Sequence, residues 1–410
     1  MAKPQSSSKL PAVVYQLGWV SFFNDICSEM AYPIIPLFII EVLRADKQVL
    51  GWIDGVALAL VNFMNAWSGF RSDKSGKRTP WIQVGYLTSG LSKPIFAMAH
   101  IWPAALGARV LDRFGKGVRS TARDALMADS VDKSDYGRAY GLHQSMDTAG
   151  AFVGVLATAF LLWLWASTPA DTVYRNIFLV ATIPGAVAWA ITMTLKDPPR
   201  DSSSDQDVAA KKAFKFQWSS LSPLYWKAVV ISAVFALANS SDTFLLLRAG
   251  PVKDGGVGLI PMFVVLAYAG YNLVFTFLSY PAGKLSDKLG RWPTLFVGWI
   301  LYALVYFGFG IANTVTIWIM FAIYGISIGA VTAVNKALVA ELAPKEAKGS
   351  AIGIFQMVTG VAVLISSPVM GIVWDRYGPA AAFDVCSGLA LLAAFLIFAT
   401  GGLRRKELAV

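Results

Sequence analysis

The feature that most constrains this chain is a succession of apolar runs of about twenty residues or more, each long enough to cross a ~30 Å hydrocarbon core as a helix. Twelve are read, at 12–40, 48–70, 79–100, 103–127, 137–165, 175–195, 224–247, 258–281, 292–312, 314–341, 349–372 and 380–402. A bilayer core offers the backbone no hydrogen-bond partner, so only helices or a closed barrel can span it. Barrel strands need only about 9–11 residues, and these runs are twice that length. Composition agrees: 56% of the residues are hydrophobic and 15% charged, where a soluble domain carries about 25% charged residues. The expected fold is an all-α integral membrane protein with twelve transmembrane helices.

A net charge of +10 would suit nucleic acid, but its placement points elsewhere. With the N-terminus inside, 24 of the 35 Lys and Arg residues fall in or beside cytoplasmic segments. Six fall in outer loops (Arg44, Lys47, Arg175, Arg248, Lys253 and Arg376) and five inside spans (Lys93, Arg109, Arg113, Lys116 and Arg119). This asymmetry follows the positive-inside rule and predicts cytoplasmic termini. The excess charge then attracts anionic lipid headgroups, and no nucleic-acid partner is expected. The first apolar run is too long for a signal peptide and is read as a retained span. Cys27 and Cys386 sit inside spans and are read as packing residues.

The chain is also duplicated. Gly69-Phe-Arg-Ser-Asp73-Lys-Ser-Gly76-Lys77-Arg78 and Gly283-Lys-Leu-Ser-Asp287-Lys-Leu-Gly290-Arg291 share the pattern G-x-x-x-D-x-x-G-[KR], 214 residues apart. A second match runs from Ala125-Leu-Met-Ala-Asp129 to Gln144 and from Ala337-Leu-Val-Ala-Glu341 to Gln356, at an offset of 212. Two matches at nearly one offset predict a parallel repeat: six-helix bundles over 1–195 and 224–410, joined by a hydrophilic cytoplasmic linker at 196–223. The basic, aromatic stretch from Lys211 to Trp218 suits an amphipathic helix on the membrane surface or a solvated linker.

The duplicated loop resembles the hallmark motif of the major facilitator superfamily. Pro33-Ile-Ile-Pro36 is similar to the P-x-x-P signature of its twelve-span drug/proton antiporters. Gly150-(x)3-Gly154 is similar to their G-x-x-x-G-P motif, with Val155 in place of the proline. Arg113 with Gly117 fits the family's R-x-x-x-G, and Arg109 is a second candidate for that role. The resemblance implies two pseudo-symmetric six-helix bundles around a central cavity, in a bacterial-type inner membrane. It also implies that Gly69, Asp73, Gly76, Arg78, Gly283, Asp287, Gly290 and Arg291 form a gate that locks helix ends in the outward-open state.

The fourth span is the unusual one. Arg109, Asp112, Arg113, Lys116, Arg119, Arg123 and Asp124 all fall within an arc of about 140° at 100° per residue. Charges at mid-membrane cost at least ~2.5–3.5 kcal/mol each, so such a face must line a watery cavity or pair with its neighbours. The equivalent positions of the tenth span include Phe321, Gly325, Ile328 and Val331. Ser21, Asn24, Asp25, Ser28, Glu29 and Tyr32 form one polar stripe on the first span, and the fifth carries Asp147. Four cations (Arg109, Arg113, Lys116, Arg119) therefore meet four anions (Asp25, Glu29, Asp112, Asp147), the pattern of an ion-pair network that protons open. Asp25, Glu29 and Asp147 are the proton-coupling candidates, with Arg109 and Arg113 as their modulating partners. A fixed network that only pins the first bundle is the alternative. In the second half, Asn239-Ser-Ser-Asp242 lies mid-span, and Tyr271, Asn272 and Gln356 offer hydrogen bonds to a substrate. Asp242 has no basic partner in its half save Arg248 near the outer surface, and is expected to face the cavity.

No catalytic, metal or cofactor signature is present. His100 and His143 are isolated, too few for a typical transition-metal site, and no G-x-x-x-x-G-K-[ST] nucleotide loop occurs. The expected function is secondary transport of a small organic or amphiphilic solute by alternating access, with proton-coupled export and a functional monomer. Uptake of an organic anion or siderophore-like solute is the alternative, and a non-transporting membrane sensor or scaffold is the reading of another class.

Overall fold

A computed structural model describes residues 10–75, 77–132, 135–197, 221–343 and 348–401. The expected linker and its amphipathic stretch lie mostly or wholly outside the described residues. Of the gate motif, Gly76 and the side chain of Asp73 do so as well.

The chain is helical throughout the described residues. The first half contains α1 (Ala12–Ala31), α2 (Lys47–Ser75), α3 (Thr79–Met98), α4 (Trp102–Asp129), α5 (Tyr136–Leu164) and α6 (Ala170–Thr192). The second contains α7 (Pro223–Ala238), α8 (Thr243–Ala249), α9 (Pro261–Leu289), α10 (Arg291–Ile311), α11 (Thr316–Leu342) and α12 (Lys348–Ala399). The twelve expected passes map onto these with two adjustments. The seventh is divided between α7 and α8. The eleventh and twelfth are the two arms of α12, which turns at Gly378, where φ is 85° and ψ 172°. That left-handed φ favours glycine.

By length and apolar content, eight stretches of the described residues qualify as membrane spans, the two arms of α12 counting as one. The helices outside that set, α1, α3 and α4, carry many of the polar and charged side chains of the first half. Large apolar side chains such as Phe160, Trp163, Phe277 and Phe395 are exposed, as a surface facing lipid tails requires.

The same neighbours recur in each half. The first span packs on the fifth and the seventh on the eleventh; the second packs on the fourth and the eighth on the tenth. The third packs on the fourth and sixth, and the ninth on the tenth and twelfth. Between halves, α2 packs on the first arm of α12, and α5 on α9. The halves approach closely at Gly51 and at Gly371, where a Cβ would lie 2.8 Å from Pro368 Cα and 2.7 Å from Gln48 Cα respectively; a larger residue would push the halves apart there.

Two spans depart from the expected continuous helices, for local reasons. Beyond Ala31 the first span tightens to a 3₁₀ turn over Tyr32–Ile34 and then widens to a π turn over Phe38–Val42. Pro33 and Pro36 remove backbone donors from the ladder there. The seventh span breaks at 239–242, where Asn239 adopts φ −87° and ψ 80°. Asn, Ser and Asp side chains compete for backbone groups and disfavour helix interiors. Expected to lie mid-helix, the polar quartet instead interrupts the helix.

Candidate functional site

One face of the molecule carries the first described residues and the residues at 77–78, 130–132 and 290; the other carries 43–46, 99–101, 165–169, 250–260 and 312–315. These are the terminal and distal faces. Between the halves lies a cavity of about 370 Å³, lined by α1, α2, α4, α5 and α9. All eight charged residues of the expected network line it: Asp25, Glu29, Asp112, Asp147, Arg109, Arg113, Lys116 and Arg119. Tyr32 and Asn272 join them, as do the apolar Leu58, Phe152, Val155 and Leu273.

The pairing inside this network differs from the one expected. Arg109 and Arg113 do not pair with the carboxylates of α1. Arg109 gives Nε and Nη2 to Asp54 Oδ1 of α2, at 3.1 and 2.8 Å. Arg113 binds its own neighbour Asp112, Nη2 to Oδ2 at 2.6 Å, and Lys93 of α3 takes the other oxygen at 2.7 Å. Helical angles indicate which way a side chain points. They do not say which neighbouring helix supplies a partner at that depth, and α2 and α3 pack closer to this part of α4 than α1 does. Arg119 lies with its guanidinium carbon 4.6 Å from the Tyr86 ring centre and donates to Ser89 Oγ at 2.6 Å.

Three carboxylates are thereby left over. Among the described residues, no Lys or Arg nitrogen comes within 4 Å of Asp25, Glu29 or Asp147. Asp25 accepts from Asn24 Nδ2 at 3.1 Å, and Glu29 accepts from the Tyr268 hydroxyl, across the halves, at 3.2 Å. Asp147 stands beside Asp25. Lys116 is exposed toward the cavity and, among the described residues, has no carboxylate within 4 Å.

The candidates of the second half are placed differently. Asp242 is not among the cavity-lining residues; it accepts from Tyr324 at 2.6 Å and Tyr271 at 3.4 Å. Its expected position facing the cavity is therefore corrected: two tyrosine hydroxyls supply what a basic partner otherwise would. Asn239 accepts from Tyr302 at 3.2 Å. Asn24, Asn239, Tyr271 and Gln356 likewise lie outside the lining.

The charge pattern of α1, α4 and α5 does not reveal two residues of the site. Lys93 reads from the sequence only as an intramembrane cation. Asp54 has a sequence signal of its own, since a lone carboxylate in an otherwise apolar span is costly.

On the terminal face the two motif copies build matching clusters. Arg78 donates to Ser72 at 3.0 Å and lies 3.5 Å from Asp129. Arg291 donates to Ser286 at 2.6 Å and pairs with Glu341 at 2.9 Å and Asp287 at 2.6 Å. Asp129 and Glu341 are the acidic residues of the second repeated pattern, so the two patterns meet in space.

A family model described as the Major Facilitator Superfamily matches residues 17–266 and 255–408. The chain belongs to the Major Facilitator Superfamily. An uncharacterised MFS-type transporter of Methanocaldococcus jannaschii is 31% identical over 399 residues, 96% of each chain. A multidrug resistance protein of Proteus mirabilis is 24% identical over 335 residues, 79% of this chain and 77% of its own. The crystal structure of a nucleoside transporter superposes with a TM-score of 0.75 at 13% identity, covering 94% of this chain and 99% of that one. The twelve-pass, two-bundle fold expected from the sequence is that of the superfamily. Membership makes the protein a multi-pass secondary transporter and not an enzyme, and it gives no support to the sensor or scaffold reading.

Proposed function

We propose that this chain is a proton-coupled transporter that exports a small amphiphilic organic solute across a bacterial-type inner membrane. The terminal face is cytoplasmic in this reading, because the basic residues concentrate there. The halves at 1–195 and 224–410 then rock about the cavity, and the protein works as a monomer. The observation that carries the proposal is the set of three cavity carboxylates, Asp25, Glu29 and Asp147, without an ion pair. A carboxylate already held by a cation stays ionised over the working pH range. One that faces a cavity without a cation can take and release a proton as its surroundings change. Protons and solute competing for these groups give antiport. The apolar lining of Leu58, Phe152, Val155 and Leu273 favours a solute with an apolar part, and the multidrug resistance relative points the same way.

The test is flux into vesicles with and without a pH gradient, for Asp25→Asn, Glu29→Gln and Asp147→Asn. Each is expected to bind substrate and to lose coupling to the gradient. Three folded variants with unchanged pH-driven flux would remove the proposal. A second reading, proton-linked uptake of an organic anion, is favoured by Lys116, an exposed cavity cation with no carboxylate within 4 Å among the described residues. It predicts that Lys116→Gln weakens binding and that solute enters together with protons.

A further inference from the structure

Asp54 is completely buried, and its two oxygens are divided between the halves of the molecule. Oδ1 takes both hydrogen bonds from Arg109 of the first half. Oδ2 accepts from Ser241 Oγ at 3.1 Å and Thr243 Oγ1 at 2.6 Å, at the break between α7 and α8. We propose that Asp54 is the latch residue through which the second half holds the distal face shut, and that Arg109 links this latch to the state of the cavity.

The position of the contact supports this assignment. Among the described residues, five hydrogen bonds join the halves: two at Asp54, one from Tyr268 to Glu29, and two from the backbone of Lys47 and Gln48 to Asp375. All lie at mid-depth or toward the distal face. All five end on a carboxylate, which makes them stronger than neutral bonds, and those at Asp54 are the deepest-buried. Opening the distal face carries Ser241 and Thr243 away with the second half. Oδ2 then lacks a partner until water reaches it, so the open state depends on hydrating this carboxylate.

Arg109 joins the latch to the cavity because it belongs to both. It lines the cavity, its Nη1 is 3.9 Å from Asp112 Oδ2, and its guanidinium carbon is 5.1 Å from the Tyr32 ring centre. The Tyr32 ring is 5.5 Å from that of Tyr268, whose hydroxyl reaches Glu29. A load in the cavity that draws Arg109 toward Asp112 leaves Asp54 a dry, uncompensated carboxylate held only by hydrogen bonds from two hydroxyls. Hydration through an opening distal face then becomes the favourable alternative. The inference rests on alternating access alone and is independent of the solute and the coupling ion.

The experiment measures spin-label distances by pulsed EPR in a Cys27→Ala/Cys386→Ala background. One label pair sits at the distal face, at Ile101 and Val315, and one at the terminal face, at Asp132 and Leu289; all four residues are exposed. Ser241→Ala with Thr243→Val removes the cross-half donors, together with the local bonds between these two residues, and keeps the Arg109 pair. It is expected to lengthen the distal distance, shorten the terminal one, and shift the ratio of the two populations by about tenfold or more, as the loss of charge-assisted bonds implies. Thr243→Ser, which keeps the hydroxyl, is expected to keep the parent distribution. Asp54→Asn is expected to move the populations in the same direction as the double variant. If it does not fold, the hydroxyl variants decide alone. Unchanged distances in the double variant, or lower thermal stability with an unchanged population ratio, overturns the proposal.

Discussion

The two halves of this transporter share a frame and differ in what fills it. In the first half α4 presents Arg109, Asp112 and Arg113, paired with Asp54 and Lys93 from neighbouring helices. In the second half α11 presents Phe321 and Tyr324 at the positions 212 residues later. Around them lies an aromatic cluster, with Tyr302 stacked on Tyr306 at 4.2 Å and Phe235 on Trp299 at 4.7 Å. One half thus solves intramembrane polarity with ion pairs, the other with tyrosine hydroxyls. The terminal-face clusters, Ser72–Arg78–Asp129 and Ser286–Arg291–Glu341, are the part both halves keep. Helix-end geometry is common to both halves, whereas the interior ion pairs belong to one half alone among the described residues.

The strongest challenge to this contrast is to unmake each solution at its centre. Asp112→Ala leaves the buried Lys93 and the half-buried Arg113 without a carboxylate and is expected to cost about 3–5 kcal/mol. Thermal unfolding and the yield of monodisperse protein measure it. Its counterpart, Tyr324→Phe, removes one hydrogen bond to a charged acceptor and is expected to cost about 1.5–3 kcal/mol. Equal losses in the two variants would mean that the halves do not differ energetically in the way their side chains indicate.

A smaller effect separates the cavity wall from the network that supports it. Lys116→Gln removes a cation with no ion pair, so stability is expected to hold within about 0.5 kcal/mol. Solute binding or flux is where the change is expected. A large drop in melting temperature would place Lys116 with the structural cations instead. The smallest effect is expected on the terminal face. Arg291→Gln breaks partly solvated pairs with Asp287 and Glu341, each worth about 0–1 kcal/mol. Its consequence should appear in the balance between conformations, read from the same label pairs, more than in stability. If Arg78→Gln produces a matching shift, the two clusters act as equivalents; if only one does, the duplication has been put to unequal use.

The sequence by itself determined the architecture, for reasons that act locally. Apolar runs of membrane length can only be helices, a repeat at offsets of 212 and 214 implies two like bundles, and the charged arc of α4 can only face a polar interior. It also identified the eight charged residues that line the cavity, since helical periodicity assigns faces. What only the tertiary structure decided is partnership. Asp54 joins Arg109 because α2 brings it to the same depth as that arginine. Asp242 turns to Tyr271 and Tyr324 because the polar quartet before α8 breaks its helix and redirects the side chain. An ion pair depends on distances of a few ångströms between helices far apart in the chain, and no single-helix pattern encodes that distance.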